Sequence, residues 1–242
     1  MRERPLSSVP VWVTALLAIA LALQITLAAS RPEPTAKAED LSAPPGVSAL
    51  QLAALGEPVA LAKLLMLYLQ AFDYQAGSRV PYRDLDYGHL EQWLSAILAL
   101  DPDGQYPLMS ASRLYAGVPD PAKQRKMLEF IYREYLTDPN RRWPWLAHAT
   151  VLAKHELKDL PLARKYAVAL QQHTTTPEAP AWVTQMEPFI LEDMDELEAA
   201  RVLIGGLLAS GRIKDEREMR LLDRRLKLLE ERLREKKAGK RP

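Results

Sequence analysis

Residues 94–139 read LSAILALDPDGQYPLMSASRLYAGVPDPAKQRKMLEFIYREYLTDP, and their punctuation decides the fold. A helical run closes at Asp101-Pro102, and Tyr106-Pro107 opens the next helix. A second break falls at Asp120-Pro121, and another helical run closes at Asp138-Pro139. The unit is helix, turn, helix, proline, and it recurs. Pro102, Pro139 and Pro177 lie 37 and 38 residues apart, and each ends an apolar-periodic run: LSAILALDP, FIYREYLTDP and ALQQHTTTP. Trp143-Pro144 stands at the offset of Tyr106-Pro107 and is expected to open a helix in the same way. Pro180 and Trp182 follow Pro177 more loosely, and Asp159-Leu160-Pro161 supplies the second break of the middle unit.

A helix-pair period in the mid-thirties with a terminal proline is the pattern of tetratricopeptide-like (TPR-like) repeats. One helix pair cannot bury its apolar face alone, so neighbours must stack. Leu157, Ala163, Tyr166 and Ala167 occupy the expected packing positions. No W-x2-L-G-x2-Y run is present, so the units are degenerate.

Helical patterning extends outward from this core over residues 47–211. Val59, Ala62, Leu65, Leu69 and Phe72 mark one apolar face with helical spacing, between a start at Glu57-Pro58 and a stop at Gly77. Leu90, Trp93, Leu94, Ile97 and Leu100 mark the inner face of the next helix, with Asp86 as its cap. A last pair is expected over residues 182–189 and 193–210, closed by Gly211. Residues 212–242 then form a charged amphipathic C-terminal helix and basic tail. Leu222, Leu226, Leu229 and Leu233 form a seam that either caps the last repeat or pairs with a partner helix.

The other end of the chain is different in kind. Residues 1–8 carry Arg2 and Arg4, and residues 9–29, VPVWVTALLAIALALQITLAA, carry no formal charge. A helix of that length is roughly 31 Å, enough to cross a hydrocarbon core of about 30 Å. The preceding arginines favour a cytoplasmic N-terminus. The run exceeds the apolar core of an ordinary signal peptide, which favours an uncleaved signal anchor. The alternative is cleavage near Ala28-Ala29-Ser30. Residues 30–46 contain four prolines and are expected to be an extended spacer. The fold expected is therefore all-α: an N-terminal transmembrane helix, a TPR-like α-solenoid of antiparallel helix pairs, and a C-terminal amphipathic helix.

The stretches PYRDLDYGHLEQWLSAILALDP, RRWPWLAHATVLAKHELKDLPLARKYA and APAWVTQMEPFI (residues 81–102, 141–167 and 179–190) resemble an uncharacterised bacterial family. Its members have a membrane anchor and TPR-like helical repeats. The resemblance spans roughly residues 50–210 and implies an architecture and a place at the bacterial membrane. It implies no activity and no site residues.

Composition narrows the chemistry. The net charge is +1, with no global basicity to suggest nucleic acid. The charge is unevenly spread: residues 212–242 hold 13 Lys/Arg against 7 Asp/Glu, a surplus of 6, so the first 211 residues sum to −5. The chain has no cysteine, which excludes disulfides, thiolate metal sites and a thiol nucleophile. His148 and His155, seven residues apart, are too far separated for shared metal ligation on one helix. His89 and His173 stand alone. No nucleophile elbow, phosphate loop or dinucleotide fingerprint occurs. No catalytic residue, cofactor, metal or small-molecule substrate is expected. Arg141, Arg142, Trp143 and Trp145 combine basic and aromatic groups and form the candidate partner surface. The plainer reading gives the indoles to inter-repeat packing and the arginines to solvent.

Three functions remain open. The first is a non-enzymatic scaffold or adaptor, tethered at the inner membrane by residues 9–29, that presents its repeat domain to an envelope protein or peptide in the periplasm. The second is an accessory subunit of a larger inner-membrane complex. The third is an enzyme or ligand binder whose polar groups, Tyr68, Arg79 and His89, converge inside the repeats.

Overall fold

The computed structural model describes residues 10–30, 40–72, 74–75, 78–211, 213 and 215–238. Among them the chain is all-helical apart from one two-residue antiparallel ladder. In it β1 (Tyr74–Gln75) faces β2 (Ser78–Arg79), with Tyr74 opposite Arg79. Helix α1 (Val11–Ala29) and this ladder fall in one compact unit, and residues 40–72 and 80–238 fall in another. Helix α1 buries no residue, and it is long and apolar enough to cross a membrane. Arg2, Arg4 and Val9 lie outside the described residues, as do most of the Pro-rich stretch and Gly77.

The second unit begins with α2 (Val47–Ala53), α3 (Pro58–Ala71) and α4 (Tyr87–Leu100). Asp86 caps α4, accepting hydrogen bonds from the Gly88 and His89 amides at 2.6 and 3.0 Å. All five expected inner residues of α4, from Leu90 to Leu100, are buried. Next come α5 (Tyr106–Arg113), opened by Tyr106-Pro107 as expected, and α6 (Pro121–Thr137), capped by Asp120 at 3.0 and 3.1 Å. Helix α7 (Pro139–His155) and helix α8 (Leu160–His173) follow, the latter capped by Asp159. Each packs on its successor from α3 to α8, and α4 also meets α6 while α5 meets α7.

Buried tyrosines tie the pairs together. The Tyr87 hydroxyl donates to the Tyr115 carbonyl at 2.9 Å, and the Tyr135 hydroxyl donates to the Ala169 carbonyl at 3.1 Å. Asn140, in the first turn of α7, accepts from the Thr175 and Thr176 amides at 2.8 and 2.9 Å. One proline-closed turn thus holds the next.

Four expectations are corrected. Trp143-Pro144 does not open a helix: α7 already starts at Pro139, and Pro144 lies inside it. Asp138 closes α6 and Pro139 occupies the first helical position of α7, where a missing N–H costs nothing. The helix therefore starts four residues early and forgoes one hydrogen bond at Pro144. In α3 the expected face holds except at its first residue: Ala62 and Leu69 are buried and Leu65 and Phe72 pack against the core, but Val59 is exposed and Met66 is buried instead. The last pair is three helices, α9 (Ala181–Thr184), α10 (Met186–Asp193) and α11 (Leu197–Ala209). The break before α11 is made by Asp195, at φ +60°, in the left-handed region. Finally, residues 40–46 are not spacer. Leu41 is fully buried against α4; its carbonyl accepts from His89 Nδ1 at 2.6 Å, and the Ser42 carbonyl accepts from Trp93 Nε1 at 2.8 Å. A single leucine in a polar, proline-rich stretch is enough to dock it.

Helix α12 (Glu216–Ala238) packs on α11. Leu222, Leu229 and Leu233 are buried, with Leu226 beside them, in a small core that includes Leu191, Ala200 and Ile204. The leucine seam is covered by the chain's own helices, as a cap requires. Arg225 adds a clamp, pairing at 2.8 Å with the almost fully buried carboxylate of Glu192 on α10.

Candidate functional site

The apolar character of α3 and the turn after α4 together build a cleft. Ala62, Met66 and Leu67 of α3 form one wall, Ile97 the floor, and Tyr106 and Pro107 of α5 the other wall. The cleft encloses about 490 Å³. Lys63, Gln70, Asp101 and Gln105 supply the polar groups around it, and the Gln70 amide donates to the Tyr106 hydroxyl across it. An apolar cleft with a few polar groups at its edge suits an apolar side chain or short helix, with the polar groups fixing orientation.

The far wall depends on a tight turn. The Gly104 amide donates to the Asp101 carbonyl at 3.0 Å. A Cβ at Gly104 would sit 2.9 Å from Asp101 Oδ2 and 3.1 Å from the Asp101 carbonyl oxygen, so a side chain there displaces the Asp101 carboxylate and presses on the turn.

The Arg-Arg-Trp-Pro-Trp block braces this turn from α7. Trp145 Nε1 donates to Gln105 Oε1 at 2.6 Å. Arg142 is only 4% exposed and donates to the Pro102 carbonyl at 3.0 Å. It also donates to the Glu134 carbonyl and carboxylate at 2.9 and 2.7 Å and to Thr137 Oγ1 at 2.6 Å. Arg141 is exposed but pairs with Asp103 and, at 3.2 Å, with Asp138. Trp143 packs against the core. The two indoles are packed rather than presented to solvent, and Arg142 is buried, not solvated. A guanidinium this enclosed cannot offer its charge to a partner, so what the block contributes is the shape of the cleft wall behind which it sits. Sequence reasoning missed the cleft because its walls come from segments some forty residues apart. The one local signal is Gly104 between Asp101-Pro102 and Tyr106-Pro107.

Tyr68 and His89 share no pocket among the described residues. The Tyr68 ring packs on Phe72 and Trp93 at 5.7 and 5.5 Å, and His89 is engaged by Leu41. The Arg79 side chain lies outside the described structure. Among the described residues no group of three or more His, Asp or Glu is placed to hold a metal ion. Half-buried His148 has a buried Nδ1 without a hydrogen-bond partner. Burial first, and Arg113 second, hold its imidazole below the ordinary value of 6.5. The ring is therefore a neutral packing group.

Comparison of the chain with protein-family models, with curated proteins and with solved structures finds no match.

Proposed function

We propose that the chain is a membrane-tethered, non-enzymatic adaptor that holds an apolar segment of an envelope protein in the cleft between α3 and α5. In this reading the successive pairs form a TPR-like solenoid, as in the bacterial membrane-anchored family that the sequence resembles. Helix α1 is a signal anchor in the inner membrane, with Arg2 and Arg4 on the cytoplasmic side and the helical body in the periplasm. Support for the solenoid comes from the 37- and 38-residue proline spacing together with the packing of each helix on its successor. The observation that carries the binding function is the cleft itself. A wall braced by a buried, four-partner arginine is a pre-formed surface, and pre-formed surfaces lose little entropy on binding.

The test is photocross-linking in intact cells from a benzophenone placed at position 106, with exposed position 172 on α8 as control. The expected result is a discrete cross-linked species from position 106 that Gly104→Val abolishes, and none from position 172. No product from position 106, or equal products from both positions, overturns the proposal.

A further inference from the structure

Helix α3 reads PVALAKLLMLYLQA, and in residues 47–71 only Glu57 and Lys63 are formally charged. A helix that is apolar on every side belongs inside a protein or in lipid. Helix α3 is covered on one side only, through Ala62, Met66 and Leu69. Val59, Ala60, Leu64, Leu67 and Tyr68 form the opposite stripe, all exposed, with Lys63 among them. Leu64 and Leu67 are 61% and 59% exposed.

The turn before α3 carries the same signature. Leu52 is 78% exposed and Leu55 91% exposed. Leu55 also has φ +49°, a backbone position where glycine or asparagine is ordinarily found. A leucine there strains the backbone by about 1 kcal/mol and adds nothing to the core, so its apolar side chain is being presented outward.

Connectivity names what covers this surface. The apolar helix α1 ends at Ala29, and Leu41 is fixed in the core beside α4. Eleven residue steps from Ser30 to Leu41 span at most about 40 Å even at full extension. Leu41 docks through His89 and Trp93, and Tyr68 of α3 packs on the same Trp93. The chain therefore arrives from α1 at the helix pair that bears the uncovered stripe. A tyrosine and a lysine among leucines suit a membrane–water boundary, the ring lying at headgroup level and the ammonium reaching back to water.

We propose that residues 47–71 are an interfacial membrane-binding element, with Leu52, Leu55 and Leu64 seated in the headgroup–acyl boundary of the bilayer that α1 enters. A helix lying in that plane buries its apolar face roughly 5–10 Å deep. Together with α1 it gives the helical body two attachments, which fix its orientation where a single tether would leave it free. The inference stands whether or not the cleft takes a partner.

The chain has no native cysteine, so single cysteines label uniquely. Full-length protein in phosphatidylethanolamine–phosphatidylglycerol vesicles carries a nitroxide at position 52, 55 or 64, or at exposed position 202 on α11 as control. Each replaced side chain is exposed, and unchanged helical circular dichroism confirms folding. Seating in lipid gives labels at 52, 55 and 64 that lose collisions with an aqueous nickel chelate and gain collisions with oxygen, while position 202 stays open to nickel. Labels open to nickel at all three sites overturn the proposal. So do labels shielded from both reagents, which means a protein partner, or spin–spin broadening, which means a second copy.

Discussion

A charged side chain in a sequence is ordinarily assigned to solvent, and Arg142 shows how that fails. Its two terminal nitrogens donate to Glu134, Thr137 and Pro102, groups 5 to 40 residues away that no local pattern announces, while its Nε stays buried without a partner. Removing one partner of such a pair leaves unpaired groups behind. Arg142→Met is expected to lower unfolding free energy by about 3 kcal/mol, at the low end for a buried pair because Glu134 is partly exposed. Arg142→Lys is expected to recover less than half, since an ammonium cannot reach Pro102 and Glu134 together. Urea unfolding of the full chain in detergent measures both, and full recovery by lysine would refute a role for the fork. The Asp86 cap, by contrast, was legible from its place before an apolar run, whereas Asp120 and Asp159 were legible only as breaks and the structure adds that they cap. Asp159 accepts from the Leu162 amide at 2.9 Å and pairs with Arg125 at 2.5 Å, and both hold its carboxyl below the ordinary 3.8. A carboxyl lowered in the folded state stabilises fully above pH 3.8, and that stability is lost as pH falls through the lower folded value. Asp159→Asn keeps the cap but loses the charge at the helix N-terminus and beside Arg125, and is expected to cost about 0.5–1 kcal/mol at pH 7. The gap between wild type and variant should close below pH 3.8, and a gap independent of pH would show that the charge contributes nothing.

Elements were legible in proportion to how one-sided their patterns are. Helix α4 alternates a clean apolar face with polar positions, and its boundary, cap and inner residues all follow from that. Helix α3 is apolar almost throughout, yet its start at Glu57-Pro58 and most of its inner face, Ala62, Leu65, Leu69 and Phe72, were legible, and only Val59 was misplaced. The Trp143-Pro144 pair did fail. Two prolines five residues apart both qualify as helix openers, and the earlier one wins because Asp138 already leaves α6 there. The stretch before α2 was misjudged by composition: four prolines signal extension, yet extended backbone still docks when one leucine finds a socket and two carbonyls find donors. The cleft takes its walls from α3 and from the turn and helix after α4, segments some forty residues apart that no local pattern pairs.

At the scale of the molecule, the buried side chains fall into two clusters, one running from Leu41 to Ile190 and the other from Leu191 to Leu233. Where helices pack mainly on their neighbours in sequence, as α3 to α8 do, stability is close to a sum of local terms, so parts can open separately. The terminal α11–α12 pair rests on eight buried residues, Leu191 to Leu233, and on the Glu192–Arg225 clamp. The α6–α8 layer, in contrast, is crossed by fully buried Phe130, Tyr135, Leu146 and Tyr166. Native-state hydrogen exchange on the full chain in nanodiscs is therefore expected to show α12 amides opening at lower free energy than those of α6 to α8. Leu229→Ala removes a buried leucine of the smaller cluster, a loss of about 2–5 kcal/mol. That loss should appear as faster exchange in α11 and α12 with α6 to α8 unchanged. A uniform acceleration through every helix would instead make the body one cooperative unit and α12 an integral part of its core. The first outcome leaves the basic C-terminal helix free to open without disturbing the cleft, and the second couples the two across the whole chain.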